Sequence, residues 1–372
     1  MIVDAELSRM NVVRETFHQA STTGKASPLG VVDVQVVDSL DSADWDAYLE
    51  RRGASPLYFR TGWEQVFAVY RLANFRLAAI RDGRIVGVLP LVFQRSLVFG
   101  RHLVSLPWFD SCGVLADDFQ AREALVEAAK ALAISHSART VQLRLSEQID
   151  GWHNFRTDKV QMRLRLEEDA GVLEKRLRSK VRNQIRNAQK RGLTVETGDQ
   201  LLLGDFFRIY STNMRDLGSP SHSRAFFRAV LQAFPDESRI HVVRMGDEVL
   251  GAGLTIANGE VLEIPWASSL RRYNSYCVNH ALYWHILKQA CSGGFRWFHF
   301  GRATKGSGPY RFKKQWGAEE QQLYWYYLDS DGEAPHEIRP PQETFRLATK
   351  IWQRLPLWLT RALGPQIVAK VP

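Results

Sequence analysis

The sequence has few cysteines and no long apolar run near its start. Its three cysteines, Cys112, Cys277 and Cys291, show no CxxC spacing and no paired framework. This usage argues against a secreted disulfide scaffold and fits a reducing compartment. The first thirty residues contain no apolar run typical of a signal peptide or a membrane span. We therefore expect a cytoplasmic globular protein in which residues 1–30 form a flexible N-terminus.

Several motifs that carry known chemistries are also missing. The sequence contains no GxSxG nucleophile elbow, no Walker A loop and no dinucleotide-binding fingerprint. It shows no helix-turn-helix, zinc-finger or zipper pattern, so we expect no DNA partner. The ten histidines are scattered, which predicts no metal site. Covalent catalysis and a tightly bound cofactor are therefore not expected.

A repeated arrangement of strands organises the chain. Asp82-Gly83 and Gly246-Asp247 each join two apolar runs, which is a strong hairpin signal. Ile85-Val86-Gly87 and Val249-Leu250-Gly251 are separated by 164 residues, the difference between positions 87 and 251. Each hairpin is followed by a strand, a helix and a closing strand, which indicates duplicated domains. The sequence predicts an α/β (α+β) fold with mixed sheets flanked by helices, divided into 31–155, 156–330 and a basic helical tail, 331–372.

One basic segment accounts for most of the net charge of +9. Residues 175–191 contain eight cations and no acid. Helical spacing places one apolar stripe toward a core, formed by Leu173, Leu177, Val181 and Ile185. The same spacing, one residue on, predicts a cationic ridge formed by Arg178, Arg182, Arg186 and Lys190. The ridge predicts a polyanion site for tRNA, a nucleotide-sugar diphosphate, a lipid phosphate or an anionic bilayer, although a solvated helix face would give the same pattern.

A glycine-rich and aromatic stretch follows the last predicted strand of the second repeat. Gly301, Gly306 and Gly308 let the backbone approach a ligand closely. Phe312 would anchor the backbone while the ammonium group of the adjacent Lys313 reaches outward. A structural turn with surface charge would explain the same residues equally well.

These segments resemble the FemAB family. GPYRFKKQWG, residues 308–317, is similar to the closing motif of that family. The basic helix also resembles that family's, in the pattern of Leu177, Arg182, Ile185, Arg186, Ala188 and Gly192. NMRDLGSP, EIPWASSLRRYNSY and FHFGRATKGSG look like the branch that accompanies exosortase (PEP-CTERM) and exopolysaccharide gene clusters. VGVLPLVF and LVSLPWFDSCGVLAD look like the first half of the same proteins, so the resemblance covers roughly residues 31–328.

The resemblance implies two tandem GNAT-like acyltransferase domains that form amide bonds. One branch of the family moves amino acids from aminoacyl-tRNA to an amine of a peptidoglycan precursor, and other members resemble acyl-CoA-dependent N-acyltransferases. Lys313 matches the family lysine thought to support transfer beside a substrate phosphate or the developing oxyanion. Two features depart from the pattern, because the sequence has no coiled-coil arm and SSLRRYNSY occupies the place of the usual GNAT pyrophosphate loop.

The candidate residues follow from the chemistry of amide formation. An amine that attacks a thioester or ester needs a positioned carbonyl, oxyanion stabilisation and, optionally, a base. We predict Lys313 as the electrostatic group, with Asp110 and Asp117 as base candidates that could instead cap a turn or helix. The predicted substrate-binding residues are Arg178, Arg182, Arg186, Arg215, Trp266, Tyr273, Asn274, Arg302 and Tyr310. The aromatic residues among them could instead belong to the core, and Arg215 could simply pair with Asp216.

The predicted function is N-acyl transfer to a cell-envelope or exopolysaccharide precursor, with acyl-CoA, an acyl carrier or aminoacyl-tRNA as donor. We expect a phosphorylated or lipid-linked acceptor, held in one groove shared by the cationic ridge and Lys313. A non-catalytic phosphate-ligand or RNA-binding protein on a degenerate acyltransferase fold is the alternative. The tail, 345–370, carries five cations and no acid. It predicts either a hairpin docked on the second domain or peripheral contact with the inner face of the membrane.

Overall fold

The computed structural model describes residues 33–37, 42–52, 57–96, 99–329 and 342–371. The predicted flexible N-terminus, 1–30, lies outside the described residues. The first half contains β1 Asp33–Val37, α1 Ser42–Arg51, α2 Trp63–Ala68, β2 Asn74–Arg81, β3 Arg84–Ser96, β4 Gly100–Val104, β5 Leu115–Ala116, α3 Phe119–Ser135, β6 Thr140–Leu145 and β7 Phe155–Arg156.

The second half is longer and ends in two helices. It contains β8 Lys159–Arg165, α4 Ala170–Arg176, α5 Ser179–Lys190, β9 Thr194–Gly198, α6 Leu203–Leu217, α7 Arg224–Ala233, β10 Ser238–Met245, β11 Glu248–Asn258, β12 Val261–Ser269, α8 Val278–Ser292, β13 Trp297–Thr304, α9 Gly308–Gln315, β14 Glu319–Gln322, β15 Tyr324–Asp329, α10 Gln342–Arg354 and α11 Leu357–Val368. Short 3₁₀ turns at Leu57–Phe59, Gln200–Leu202 and Arg271–Tyr276 complete the described elements.

The described strands form two mixed sheets. The first has the order β1-β2-β3-β4-β6-β15-β7, with β5 paired to β3, and the second has the order β14-β8-β13-β12-β11-β10-β9. Each sheet is largely antiparallel but contains one parallel pair, β4 with β6 and β12 with β13. Helix α3 packs its buried alanines and leucines on the first sheet, and α8 does the same on the second. This architecture confirms the predicted fold class.

The two predicted hairpins occupy equivalent positions in the two sheets. At Ile85-Val86-Gly87 the register with β2 shifts by one residue, and at Val249-Leu250-Gly251 the register with β10 shifts at the same place. A β-carbon on Gly87 would lie 3.0 Å from Leu125 of α3, and one on Gly251 would lie 2.5 Å from Val278 of α8. Both glycines therefore allow a helix to approach a bulged strand. The 164-residue repeat is confirmed as a structural repeat.

One strand that follows the second half completes the sheet of the first half. Strand β15 leaves the second half and pairs with β6 of the first sheet along its whole length, from Tyr324 opposite Leu145 to Asp329 opposite Thr140. The sequence-based domain limits had placed this strand with residues 156–330. Its apolar and aromatic side chains pack into the first sheet. Tyr326 is fully buried there, and its hydroxyl accepts a hydrogen bond from the Ile149 N–H.

A shared apolar core joins the halves. Side chains of α2 and of the loop after β4 pack against α6, α7 and β10–β12 in one cluster. Trp63 lies between Phe109 of the first half and Phe234 of the second, with ring centroids 4.6 and 4.8 Å away. Polar contacts reinforce the junction, because the Leu57 N–H donates to Asn258 and Arg60 pairs with Glu237.

The basic segment forms two helices rather than one. Leu173, Leu177, Val181 and Ile185 are all buried, as the apolar stripe predicts. However, Leu177 and Arg178 adopt extended backbone angles between α4 and α5. The Arg182 guanidinium donates hydrogen bonds to the carbonyl oxygens of Lys175 and Leu177 at this break. These carbonyls end a helix and would otherwise lack an intrahelical partner.

The tail docks on the protein through α10 and α11. The Arg361 side chain donates to Ser211 of α6 and lies over the ring of Phe207. Gly364 lies against Ser221 so closely that a β-carbon there would be 2.9 Å from its backbone. The Trp108 indole donates to the carbonyl of Val368, and Gln94 donates to the carbonyls of Ala369 and Val371. The tail therefore docks on the protein, and it contacts both halves rather than the second domain alone. Among the described residues, no helix combines the length and the hydrophobicity that crossing a bilayer requires.

Candidate active site

A cavity of about 630 Å³ lies at the junction of the two halves. Its wall combines the loop after β4, strand β6, helix α6, strands β12 and β13, helix α9 and the end of α11. This volume is typical of small-molecule sites, and their usual location includes domain junctions. The cavity therefore brings together segments that are distant in sequence.

Diverging strands open this cavity on the side of the second sheet. Strands β12 and β13 pair only from Val261 opposite Trp297 to Glu263 opposite His299. Beyond that point β13 remains paired only with β8, which it contacts from Trp297 to Thr304 with a shift in register between His299 and Arg302. Gly301 lies at the divergence with φ of +76°, a conformation that favours glycine. Residues on either side of the gap, Trp266 and Arg302 among them, line the cavity.

Helix α9 delivers Lys313 to the cavity. The Ser307 hydroxyl caps this helix by accepting from the Tyr310 N–H, and Pro309 occupies its first turn. The Lys313 side chain is only 9% exposed, and its Nζ donates to the carbonyls of Gly301 at 2.9 Å and Arg302 at 2.8 Å. Burial lowers the pKa of Lys313 to about 8, an effect that Asp110 opposes and Arg302 reinforces. Since an ammonium group has three hydrogens, one remains for a substrate oxygen.

Asp110 lies beside Lys313 and Arg302 in the cavity wall. Its Oδ1 accepts from Arg302 Nη1 at 2.9 Å. Its Oδ2 and Lys313 Nζ both lie 3.8 Å from the point that a β-carbon on Gly301 would occupy. The loop that presents Asp110 contains two non-glycine residues with left-handed backbone, Leu106 at φ +54° and Trp108 at φ +74°. Such conformations are costly and cluster at functional sites.

A second arginine strengthens the positive charge of the cavity. Arg144 lies on β6, is 1% exposed and donates to the carbonyl of Phe109 at 2.9 Å. Its guanidinium lies 4.5 Å from the ring centre of Trp325, and that of Arg302 lies 5.3 Å from the same ring centre. Burial lowers the pKa of Arg144 to about 9, and Arg302 adds to this effect. Strand β15 therefore supplies the indole that holds two arginines near each other.

A second carboxylate lines the cavity from β12. Glu263 Oε2 accepts a hydrogen bond from the Tyr58 hydroxyl at 2.5 Å, and Glu263 Oε1 lies 3.5 Å from His299 Nδ1. Burial and the adjacent Glu263 raise the pKa of Tyr58 well above its ordinary value, so Tyr58 stays a hydrogen-bond donor. His299 Nδ1 is buried without another hydrogen-bond partner in the described residues. Glu263 therefore places a buried carboxylate in the cavity wall, beside the His299 imidazole.

An aromatic wall completes the cavity on the side of α6 and α7. Trp266 lies edge-on to Phe109 and to Phe227. His222 stacks on Phe226 with ring centroids 4.0 Å apart, and its Nδ1 lies 3.2 Å from the Tyr70 hydroxyl. Burial lowers the pKa of His222 to about 3, so its imidazole is neutral at physiological pH. This wall suits an uncharged part of a ligand.

The structure brings four of the predicted site residues together. Asp110, Trp266, Arg302 and Lys313 all line the cavity. Asp117 is exposed near α1, where it accepts from Tyr48 and Arg52, and its neighbour Asp118 caps α3 instead. Asp117 is therefore outside the cavity, since the chain turns away toward α3 after Cys112.

The remaining predicted residues are also outside the cavity wall. Arg215 pairs with Asp216, as the simpler alternative predicted. Tyr273 donates to Glu248, Tyr310 donates to Glu320, and Asn274 is exposed. The ridge residues Arg178, Arg182 and Arg186 do not line the cavity with Lys313, contrary to the predicted shared groove. Their helix instead packs against α8, where Asn187 contacts Cys277 and Arg191 covers the ring of Tyr276.

Sequence reasoning missed Glu263, Arg144 and His222. Glu263 stands within the quoted EIPWASS stretch, and its isolated acid in an apolar strand was a usable signal. Arg144 has the same signal, a lone cation within the apolar run TVQLRL. A charged residue inside a buried strand is rare unless it is paired or functional.

Comparisons with known proteins bear on the class of fold. Residues 175–314 match the model of a family described as an acetyltransferase (GNAT) domain. The fold resembles a crystal structure of FemX, with a TM-score of 0.61 and 16% identity over 83% of this chain and 98% of that one. It also resembles L-PGS from Bacillus licheniformis, with a TM-score of 0.53 and 14% identity over 85% of this chain and 98% of that one. No curated protein matches the sequence.

A third similar structure is a conserved protein of unknown function from Bacteroides thetaiotaomicron, with a TM-score of 0.51 and 9% identity over 79% of this chain and 98% of that one. The domain match identifies an acyltransferase domain of the GNAT class in the second half. The structural likeness extends the fold over both halves. Together they confirm the predicted fold class and place a GNAT-type acyltransferase domain in the second half.

Proposed function

We propose that the protein is an N-acyltransferase that forms an amide in the cavity between its two halves. The observation that carries this proposal is the convergence of Lys313, Arg302 and Arg144 with two carboxylates, Asp110 and Glu263, on one cavity. Amide formation generates an oxyanion and releases a proton. A site that offers buried cationic donors and a carboxylate matches both requirements.

The proposed reaction proceeds without a covalent enzyme intermediate. The lone pair of an acceptor amine attacks the carbonyl carbon of a thioester or ester, and the carbonyl oxygen becomes an oxyanion that Lys313 stabilises through its remaining hydrogen. The bond from carbon to sulfur or oxygen then breaks. Glu263 takes the amine proton, with His299 beside it, and that proton then passes to the leaving thiolate or alkoxide, so the carboxylate is regenerated. Buried donors that are positioned in advance stabilise an oxyanion more strongly than water does.

We assign Asp110 a positioning role rather than that of the base. Its Oδ1 accepts a hydrogen bond from Arg302, and its carboxylate lies beside Lys313, so it holds both cations in place. Arg302 and Arg144 are suited to a phosphate or carboxylate of a substrate, because guanidinium groups bind such anions through two parallel hydrogen bonds. Trp325 orients both guanidinium groups.

The proposed acceptor is an amine of a phosphorylated or lipid-linked precursor of the cell envelope or of an exopolysaccharide. The cluster of Lys313, Arg302 and Arg144 supports a phosphate on the substrate. The sequence resemblance to the exosortase-associated branch supports this substrate class. The donor is acyl-CoA, an acyl carrier or aminoacyl-tRNA. We propose that the reaction takes place in the cytoplasm or at the inner face of the membrane.

The proposal is tested by trapping the ligand and measuring transfer. Native mass spectrometry of the purified protein should reveal an acyl thioester or ester, and incubation with that donor and an amine should yield an amide. In this assay Lys313→Ala should lower the transfer rate at least about tenfold, and Glu263→Gln should lower it by about 10²–10⁴-fold. Both residues act on the reacting atoms. Because Lys313→Ala also leaves the carbonyls of Gly301 and Arg302 without their buried donor, its rate is compared at a temperature at which circular dichroism shows the variant folded.

Two exposed neighbours serve as matched controls. Lys314→Ala removes a cation adjacent to Lys313 whose side chain is 44% exposed, and Glu260→Gln removes an exposed carboxylate just before β12. Both control variants should retain the parent rate. Unchanged transfer in Lys313→Ala would remove Lys313 from the mechanism, and equal losses in variants and controls would show a general structural effect instead.

A further inference from the structure

An exposed apolar surface remains on the docked tail. Leu347, Ile351, Trp358, Leu363 and Ile367 of α10 and α11 are exposed, with Trp358 at 69%. Large apolar side chains that cluster at a surface mark interaction sites, whereas single ones need no explanation. The tail is thus attached to the protein through Arg361 and Gly364, while these five side chains remain exposed.

Exposed cations occur in the same segment. Arg346, Lys350 and Arg354 are exposed on α10, Lys370 is exposed just after α11, and the sequence from residue 346 to residue 371 contains no acid. The fifth cation, Arg361, faces inward to Ser211 and Phe207. We call the five apolar residues and the four exposed cations the tail surface. Its chemistry, tryptophan and leucine beside uncompensated positive charge, is complementary to anionic lipid headgroups above acyl chains.

The mouth of the cavity lies at the edge of the tail surface. Ile367 is 41% exposed and also lines the cavity, and the same is true of Leu217, which is 49% exposed at the end of α6. Val368 and Val371 line the cavity from the same segment. A surface bound by the tail would therefore lie next to the entrance of the cavity.

We propose that the tail surface binds an anionic lipid bilayer and places the cavity mouth against it. This inference rests on the proposed function only where it concerns the substrate: an acceptor held in the membrane could then reach Lys313 without leaving the bilayer. A second copy of the chain is a poorer occupant. A two-fold interface through this surface would bring two sets of the same four cations together.

Vesicle sedimentation of the full-length protein tests the proposal. The protein should sediment with vesicles of equal parts phosphatidylcholine and phosphatidylglycerol but not with vesicles of phosphatidylcholine alone, and binding should weaken as salt rises. The double variant Trp358→Gln/Leu363→Gln and the triple variant Lys350→Gln/Arg354→Gln/Lys370→Gln should each weaken binding at least about tenfold. Equal binding to both kinds of vesicle, or no binding, would overturn the proposal.

Three controls keep the result specific. Ile134→Gln removes an apolar side chain of α3 that is 63% exposed and remote from the tail in sequence, and it should bind vesicles as the parent does. Far-ultraviolet circular dichroism should show that the tail variants keep their helices. Lys313→Ala should bind normally, so failure of the proposed reaction and failure of membrane binding are distinguishable. If sedimentation without vesicles shows a dimer that Trp358→Gln/Leu363→Gln dissociates, the occupant is a second copy and the bilayer proposal is wrong.

Discussion

Lys313 has an environment that ties its charge to pH. It is nearly buried, it donates to two backbone carbonyls, and burial lowers its pKa to about 8. The proposed role requires the ammonium form, which can donate a hydrogen bond to the oxyanion. The protonated fraction in the free protein therefore falls as the pH rises through about 8, within the range of ordinary assays.

We predict that kcat/KM falls on the alkaline side with an apparent pKa near 8. The fall should approach tenfold for each further pH unit, because the deprotonated amine is neutral. In Lys313→Arg the guanidinium stays protonated, so whatever activity remains should decline only at higher pH. Rates measured across the pH range with a donor that is itself stable to base provide the check. An alkaline limb at the same pH in Lys313→Arg would assign the limb to another group.

At the residue level the sequence predicted some of the site and missed the rest for a common reason. Lys313 and Arg302 stand in a motif whose glycines are visible in the sequence. Glu263 and Arg144 acquire their roles only when β12, β6 and the loop carrying Phe109 meet in three dimensions. Local patterns do not contain that information, since the partners of Glu263 and Arg144 lie far from them in sequence.

At the level of elements, local patterns predicted the hairpins and their repeat well. Alternating apolar runs around a turn fix a hairpin through neighbouring residues alone. Helix α9 was missed because its glycines were interpreted as a turn, although Ser307 and Pro309 form an ordinary helix start. The break at Leu177 was also missed, because the apolar stripe continues through it and all four members are buried.

Arg182 now has a structural role that its ridge neighbours lack. Its guanidinium supplies hydrogen bonds to two carbonyls at the end of α4, whereas Arg186 is exposed. We predict that Arg182→Ala lowers the free energy of unfolding by about 1–3 kcal/mol, because these carbonyls lose a charged donor. Arg186→Ala should change it by less than about 0.5 kcal/mol. Urea denaturation of the two variants would measure the difference, and equal stabilities would show that solvent satisfies the carbonyls.

At the level of the whole molecule, the halves are joined by more than a linker. Trp63 packs between residues of both halves, Tyr58 donates to Glu263, and β15 completes the first sheet from the far end of the second half. The sequence did not predict the pairing of β15 with the first sheet, because β15 directly follows the second half and its own residues do not indicate which strand it pairs with. Strand pairing of this kind depends on which sheet edge is open after folding.

We predict that the two halves unfold in a single transition. The halves share an aromatic core, and β15 completes the first sheet. Unfolding of either half would therefore expose buried surface of the other, so a half-folded state should not accumulate. Tryptophan fluorescence and far-ultraviolet circular dichroism should give coincident denaturation curves. Two separated transitions, or curves that differ between the probes, would show that the halves are energetically independent.

The position of β15 in the first sheet also sets an order of events during synthesis. The first sheet needs Tyr324–Asp329 beside Thr140–Leu145, yet translation reaches the later segment on the order of ten seconds after the earlier one, at roughly 5–20 residues per second. Until then β6 has an unpaired edge, which is the kind of edge that invites pairing with other chains. The nascent first half therefore carries an open strand edge until Asp329 has been translated.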